Sequence, residues 1–191
     1  MRKIILASGS PRRKEIFEKT GLPFTVIESA YEEDMTLPLA PSDLVNFLSC
    51  GKARAVAEKE KDAIVIAADT FIVFENKVLG KPKTEEKARE MLQMLNGKEN
   101  NVITGVTIID TDSGREISFY DMARIFFRNN SNETLEAYIK TGEPLDKAGA
   151  YAIQGIGAVL IDRIEGDFFT IVGLPLARLV EELKSFGIKV L

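Results

Sequence analysis

IILASGSPRRKEIF, residues 4–17, passes directly from an apolar segment into a charged one, which indicates a strand followed by a helix. Ser10 is a favoured N-cap residue, and Pro11 suits the first helical position. Arg12 and Arg13 then fall in the opening turn, beside unpaired backbone N–H groups and the positive end of the helix dipole. Cations are unfavourable there by roughly a few tenths of a kcal/mol each. We therefore expect an anion at this helix end, unless both arginines simply lie on the surface over apolar neighbours.

The composition is that of a globular chain with a sizeable core and no global attraction for polyanions. Its 191 residues indicate one domain, residues 1–191, with 45% hydrophobic residues and a net charge of −4. A nucleic-acid-binding module is the least favoured class, because the chain is acidic and has neither a basic stripe nor tryptophan. No apolar run approaches the roughly 20 residues of a membrane span. The single cysteine, Cys50, is expected to be a small buried residue, and a cytoplasmic protein is the simplest interpretation.

The absence of histidine excludes whole classes of chemistry. Ser-His-Asp triads, histidine metal sites and histidine general bases all need the imidazole ring. The chain also has no Walker loop and no complete dinucleotide fingerprint. Any catalysis must therefore use carboxylates, lysines, arginines, hydroxyl groups and bound metal.

Strand and helix patterns alternate along the chain, which favours an α/β fold class. The run at residues 63–74 looks like two strands interrupted by Asp69-Thr70, and two long strands look like a hairpin around residues 110–114. The strands of this hairpin are predicted at 102–110 and 115–127, and two further strands at 23–29 and 158–164. Helices are predicted at 42–60, 84–95, 132–141 and 174–187.

Asp69 directly follows the apolar run 63–68, which is typical of a central strand covered on both faces. A carboxylate at the carboxyl end of such a strand lies where open α/β sheets bind their ligands. A turn residue between two strands is the alternative interpretation, because aspartate is common in turns.

Three other charged features are each open to a functional and an ordinary interpretation. Lys52 interrupts an apolar helix stripe, and it either serves a site or extends past the core to water. Lys81 lies in a Gly-Pro turn, where a lysine is usually solvated. The acidic cluster YEED, residues 31–34, is either an exposed loop or a source of carboxylates for Mg²⁺.

The segment EPLDKAGAYAIQGIG, residues 143–157, looks like a long loop, and such loops in compact domains are often functional. Gln154 offers a donor and an acceptor suited to the edge of a base, although the loop could merely cover the sheet edge. Cations, a helix N-terminus and carboxylates together form the set expected for cleavage of a phosphate ester with a divalent metal.

The sequence resembles the Maf family of nucleotide pyrophosphatases, relatives of the inosine triphosphatases. Seven blocks carry the resemblance in order along the chain: LASGSPRRKE, YEED, KARAVA, AADT, LGKP, EPLDKAGAYAIQG and GDFFTIVGLP. It implies a mixed, elongated central sheet flanked by helices, with two lobes around a nucleotide-binding cleft. It also implies hydrolysis of nucleoside triphosphates between the α and β phosphates with Mg²⁺ or Mn²⁺, and a homodimer.

The resemblance also implies a role for nine residues. Asp69 corresponds to the proton acceptor and Glu33 to a carboxylate that helps Asp69 to place the metal. Phosphate binding falls on Ser8, Arg13, Lys52 and Lys81, and the selection of dTTP and UTP falls on Arg12, Thr70 and Gln154.

Two departures from the family pattern and two rival functions remain open. Asn100 stands where members commonly carry histidine, and Ala152 stands where they usually carry glycine, so alanine there would strain the loop if positive φ is needed. The rivals are the same chemistry on another base, such as 7-methyl-GTP, CTP or a modified nucleotide, and a weakly catalytic nucleotide-sensing regulator of cell division. Clearing non-standard nucleotides is the purpose we expect for the enzyme.

Overall fold

The computed structural model describes residues 2–190 and contains one seven-stranded mixed sheet. The strand order is β2-β1-β3-β5-β6-β7, and β4 pairs with β3 beside that path. β1 is parallel to β2 and β3, whereas all the other pairs are antiparallel. The strands are β1 (Lys3–Leu6), β2 (Thr25–Val26), β3 (Ala63–Phe74), β4 (Lys77–Leu79), β5 (Glu99–Asp110), β6 (Glu116–Phe127) and β7 (Ile161–Glu165).

Helices cover both faces of this sheet. They are α1 (Pro11–Glu18), α2 (Pro41–Ala57), α3 (Glu85–Leu95), α4 (Asn132–Ile139), α5 (Phe168–Val172) and α6 (Leu176–Lys184). The segment predicted as a loop instead forms three short 3₁₀ turns, Glu143–Asp146, Ala148–Ala150 and Ile156–Leu160. None of the helices within residues 2–190 combines the length and the hydropathy needed to cross a bilayer.

The expected α/β class and the long hairpin are confirmed, because β5 and β6 pair over almost their whole length. The predicted strand at residues 23–29 is reduced to the two residues of β2, and the short helix α5 was not anticipated. Cys50 is free and only half-buried, so the expectation of a small buried residue was wrong.

β3 is one continuous strand, and the predicted interruption at Asp69-Thr70 was wrong. Both residues stay in the ladder, with Asp69 opposite Gly105 and Thr70 opposite Thr104 of β5. α2 packs closely over this point, since a Cβ at Gly105 would lie 2.7 Å from the carbonyl oxygen of Val45. Asp69 therefore lies in mid-strand, and both expectations for it, the carboxyl end of a strand and a turn, were wrong.

The other edge of β3 is open around Asp69. β1 pairs with residues 63–66 and β4 pairs with residues 72–74, and none of the described strands pairs with residues 67–71 on that side. The parallel part of the sheet thus ends just before Asp69. The carboxyl end of β1 leads into the loop before α1, which brings that loop to the gap.

The buried side chains divide into separate cores at the same two residues. On one face, Ile66 and Ala68 of β3 belong to a core covered by α1 and α6, whereas Ile72 belongs to a second core covered by α3 and α4. On the opposite face, packed by α2, a similar division separates Ala67 from Phe71. Two lobes therefore share β3, and their boundary is a cleft at Asp69 and Thr70.

Candidate active site

Lys52 joins two carboxylates on the α2 side of the sheet. Its ammonium nitrogen lies 2.7 Å from Oε1 of Glu33 and 3.2 Å from Oδ1 of Asp69. Lys52 and Asp69 have only 14% and 11% of their side chains exposed, whereas Glu33 is 42% exposed. Asp69 Oδ1 also accepts the backbone N–H of Thr70 at 2.9 Å. Asp69 Oδ2 is buried with no hydrogen-bond partner among residues 2–190, so one strong acceptor is available to a ligand.

Gly51 allows the acidic segment to pack against α2. A Cβ at Gly51 would lie 2.3 Å from Cζ of Tyr31, so the tyrosine ring occupies the space that a side chain would take. Tyr31 precedes Glu33 by two residues, and its ring packs against Gly51, the residue before Lys52. The absent side chain therefore helps to place Glu33 on the lysine.

Arg13 connects the helix N-terminus to the opposite face of β3. Its guanidinium donates to Gly173 O at 2.9 Å, to Thr70 Oγ1 at 3.0 Å and to Ser8 Oγ at 3.3 Å. Burial lowers the pKa of Arg13 from its ordinary value, and the neighbouring Arg12 lowers it further while Asp69 opposes the change. An arginine so enclosed is suited to binding an anion with several donors.

The opening turn of α1 keeps its N–H groups available. Ser10 is the N-cap residue as predicted, but its side chain makes no capping hydrogen bond. The first-turn N–H groups therefore keep the unfilled donor capacity that binds anions at helix N-termini. This finding corrects the expectation of a side-chain cap and strengthens the case for an anion.

A chain of threonine hydroxyls fixes the direction of the hydrogen bond at Thr70. Thr104 Oγ1 donates its single hydrogen to the carbonyl oxygen of Thr170 at 2.7 Å. Thr70 must then donate to Thr104 across their 3.0 Å contact. Since Arg13 also donates to Thr70, the Thr70 oxygen keeps one lone pair and can only accept from a further ligand.

A cavity of about 500 Å³ opens on the Thr70 side of β3. Five of the predicted site residues line it: Arg12, Arg13, Thr70, Lys81 and Gln154. Apolar side chains, among them Ile72, Val102 and Ile153, form the rest of its wall. The remaining four predicted residues are not among the lining residues, but Ser8 is bonded to Arg13, and Asp69 adjoins Thr70 in sequence and pairs with Lys52.

Comparison with known proteins shows the family to which this chain belongs. The family model described as Maf-like protein matches residues 3–186. This chain belongs to the Maf family. Curated relatives named dTTP/UTP pyrophosphatase, from Bacillus cereus, Bacillus thuringiensis subsp. konkukian and Bacillus anthracis, are each 50% identical over 190 residues. Each alignment covers 100% of this chain and 98% of the relative.

One solved structure is similar to this chain in its fold. A HAM1 protein from Coxiella burnetii superposes with a TM-score of 0.52 at 11% sequence identity, covering 97% of this chain and 98% of that one. At this identity the likeness shows the fold alone. It confirms the α/β class with a mixed central sheet.

The two departures from the Maf pattern differ in how well they are accommodated, because Nδ2 of Asn100 is buried with no hydrogen-bond partner among residues 2–190. Ala152 does not have positive φ, so the expected strain there is absent; Ala150, with φ of 62°, is the alanine in the left-handed region. Asn100 is buried and accepts a hydrogen bond from the hydroxyl of Tyr151 at 2.8 Å. Tyr151 lines the cavity and Asn100 does not, so Asn100 contacts a residue of the cavity wall.

The sequence did not single out every polar residue of the site. Glu143, Asp146 and Lys147 also line the cavity, and Lys147 is paired with Asp146 at 2.8 Å. These residues belong to the block quoted for its density of charged and polar groups, which was the available signal. Their individual contacts depend on how the three 3₁₀ turns fold.

Proposed function

We propose that this protein hydrolyses dTTP and UTP to the nucleoside monophosphate and pyrophosphate. Curated relatives that are 50% identical over 190 residues, 98% of their length, carry the name dTTP/UTP pyrophosphatase. One observation carries the proposal. Asp69, with an unpartnered carboxylate oxygen, and Thr70, which faces a cavity of nucleotide dimensions, are consecutive residues at an open strand edge.

The hydrogen-bonding capacity of the cavity suits uracil and thymine. Thr70 can only accept, and both bases present an imide N–H donor between two carbonyl oxygens. Arg12 supplies donors for a carbonyl oxygen, and Gln154 supplies a donor and an acceptor. Cytosine has an acceptor in place of the imide N–H, so it would face the remaining lone pair of Thr70 without a hydrogen bond.

The triphosphate extends from this cavity across the open edge of β3 toward Lys52. Arg13 bonds to Ser8 and Thr70, and Lys81 lines the cavity, so these residues and the first turn of α1 would supply the donors and cations that phosphate oxygens need. Their charges neutralise the negative charge that builds on the departing pyrophosphate.

The carboxylates suit a divalent cation. Glu33 and Asp69 converge on one lysine, and the free Oδ2 of Asp69 is an oxygen ligand of the kind that Mg²⁺ and Mn²⁺ prefer. Residues 2–190 contain no cluster of three or more acidic or cysteine side chains able to hold a metal alone. A cation at Glu33 and Asp69 would therefore share the phosphates, where it would polarise their oxygens.

Asp69 is the general base of the proposed reaction. Its Oδ1 is held by Thr70 N–H and Lys52, so Oδ2, which has more than one lone pair, would serve both the cation and the water molecule that it orients and deprotonates. The water oxygen forms a bond to the α-phosphorus while the bond from that phosphorus to the bridging oxygen breaks. Pyrophosphate then leaves with the electron pair of the broken bond.

Pyrophosphate release from a nucleotide panel tests the proposal. With Mg²⁺ present, kcat/KM is measured for dTTP, UTP, CTP, GTP, ITP and 7-methyl-GTP. We expect dTTP and UTP to lead, and Asp69→Asn to lower kcat by ~100-fold or more, as loss of a general base typically does. Asp162→Asn, an exposed carboxylate of β7, is the matched control.

Each other outcome removes a defined part of the proposal. Preference for 7-methyl-GTP or CTP would discard the base assignment, and unchanged turnover in Asp69→Asn would discard the role of Asp69. No turnover with any nucleotide would favour the regulator. We further propose a cytoplasmic homodimer that clears non-standard pyrimidine nucleotides.

A further inference from the structure

The Glu143 carboxylate accepts hydrogen bonds from backbone N–H groups that follow Gln154 in the sequence. Its Oε1 accepts the N–H of Ile156 at 3.0 Å, and its Oε2 accepts the N–H of Gly157 at 2.8 Å. The two donors lie 13 and 14 residues further along the chain, in the opening turn of the last 3₁₀ segment. One carboxylate thus ties the start of the segment 143–157 to its end.

Two glycines leave room for the side chains around this attachment, Gly155 for the Glu143 carboxylate and Gly157 for the hydroxyl of Tyr138. A Cβ at Gly155 would lie 1.9 Å from Glu143 Oε1, and one at Gly157 would lie 2.6 Å from the hydroxyl of Tyr138. Gly155 has φ of −117°, which any residue adopts, so glycine is needed there for space and not for conformation. These short distances indicate that the Glu143 side chain occupies a specific position.

The contacts around Glu143 favour the charged form of its carboxyl. Burial would raise the pKa of its carboxyl, but the N–H of Gly157, the hydroxyl of Tyr138, the N–H of Ile156 and the charge of Lys147 together hold that pKa below its usual value. Hydrogen bonds to an ionised acceptor are stronger than neutral ones. The attachment is therefore intact at neutral pH.

Gln154 depends on the backbone for its position. Its side chain makes no hydrogen bond within residues 2–190, and it projects from a turn closed by Gly155 N–H on Ala152 O at 3.2 Å. The Glu143 attachment begins one residue after that turn. We propose that Glu143 is a positioning residue that fixes Gln154 for recognition of the base, an inference that rests on the proposed function.

Glu143→Gln tests this role by keeping the shape and removing the charge and one acceptor. We expect KM for UTP and dTTP to rise by ~10-fold or more, in line with the loss of a charged hydrogen bond. The UTP-to-CTP ratio of kcat/KM should fall, while kcat stays within about threefold because the reacting phosphates are untouched. Glu90→Gln, an exposed carboxylate of α3, is the control.

Gly155→Ala is a second route to the same effect, because its methyl group displaces the carboxylate without changing any charge. Amide hydrogen exchange at Ile156 and Gly157, measured without nucleotide, reports the attachment independently of activity. We expect faster exchange in both variants and unchanged exchange in Glu90→Gln.

If the wild-type enzyme is active, and KM and base selectivity are unchanged in both Glu143→Gln and Gly155→Ala, the positioning role is overturned. Unchanged exchange at Ile156 and Gly157 in Glu143→Gln would overturn the attachment itself. If the wild-type protein releases pyrophosphate from no nucleotide, the substrate role falls together with the proposed function. In that case, amide hydrogen exchange at Ile156 and Gly157 still shows whether the Glu143 attachment exists.

Discussion

Asp69 and Thr70 are neighbours in one strand, yet their side chains serve opposite faces of the sheet. Asp69 pairs with Lys52 of α2, and Thr70 bonds to Arg13 of α1 beside the cavity. Alternation along a strand produces this separation, and the open edge of β3 connects the two sides. A nucleotide can therefore place its base on one face and its phosphates toward the other.

Lys52→Met should damage both stability and turnover. The substitution leaves Glu33 and Asp69 facing each other without their shared cation, and removing one partner of a buried ion pair costs about 3 kcal/mol. Urea denaturation and pyrophosphate release measure the two effects. Lys59→Met, at an exposed position just beyond α2, should change neither; retained stability and turnover in Lys52→Met would show that the ion pairs are unimportant.

Gly51→Ala should destabilise the protein despite its position inside a helix. Alanine normally stabilises a helix interior by about 1 kcal/mol over glycine, but here its methyl group would displace the ring of Tyr31. We expect a lower free energy of unfolding and a higher Mg²⁺ concentration for half-maximal activity, because Glu33 moves with the ring. The double variant with Tyr31→Ala should recover stability relative to Tyr31→Ala alone, and a Gly51→Ala protein as stable as wild type would disprove the contact.

Thr70→Val should weaken the discrimination between UTP and CTP. Valine keeps the shape of threonine but removes the acceptor, so the advantage of an imide N–H is lost and the kcat/KM ratio should fall by ~10-fold. Thr70→Ser should retain most of the discrimination. Thr25→Val on the exposed edge strand β2 controls for the loss of a hydroxyl, and an unchanged ratio in Thr70→Val would exclude Thr70 from base recognition.

Cys50 should react slowly with thiol reagents at pH 8. Burial and the neighbouring Glu116 raise the pKa of the thiol to about 11 from an ordinary 9.0. The thiolate is the reactive form, and raising the pKa by about two units lowers its fraction at pH 8 by about a hundredfold. The rate should climb steeply above pH 10, and Glu116→Gln should shift the profile toward lower pH; a rate at pH 8 equal to that of free cysteine would contradict the contact.

The sequence predicted the apolar run of β3 but not its continuity. Aspartate and threonine in mid-strand look like a turn, because local patterns carry no information about the pairing with Gly105 and Thr104 of β5. The five-residue helix α5 was missed because it is too short to show a helical period.

The sequence predicted which residues form the candidate site better than it predicted the contacts between them. The blocks along the chain pointed to Arg12, Arg13, Thr70 and Gln154, and all four line one cavity. The attachment of Glu143 was not foreseen, because it joins a side chain to backbone N–H groups more than a dozen residues away. Such contacts exist only once the turns have folded.

Product analysis of dTTP hydrolysis in ¹⁸O-labelled water tests the central claim most directly. If Asp69 directs water to the α-phosphorus, ³¹P NMR will show labelled dTMP and unlabelled pyrophosphate in equal amounts, and Asp69→Asn will form both products ~100-fold more slowly or slower still. Release of dTDP and inorganic phosphate, or label in the pyrophosphate, would contradict it.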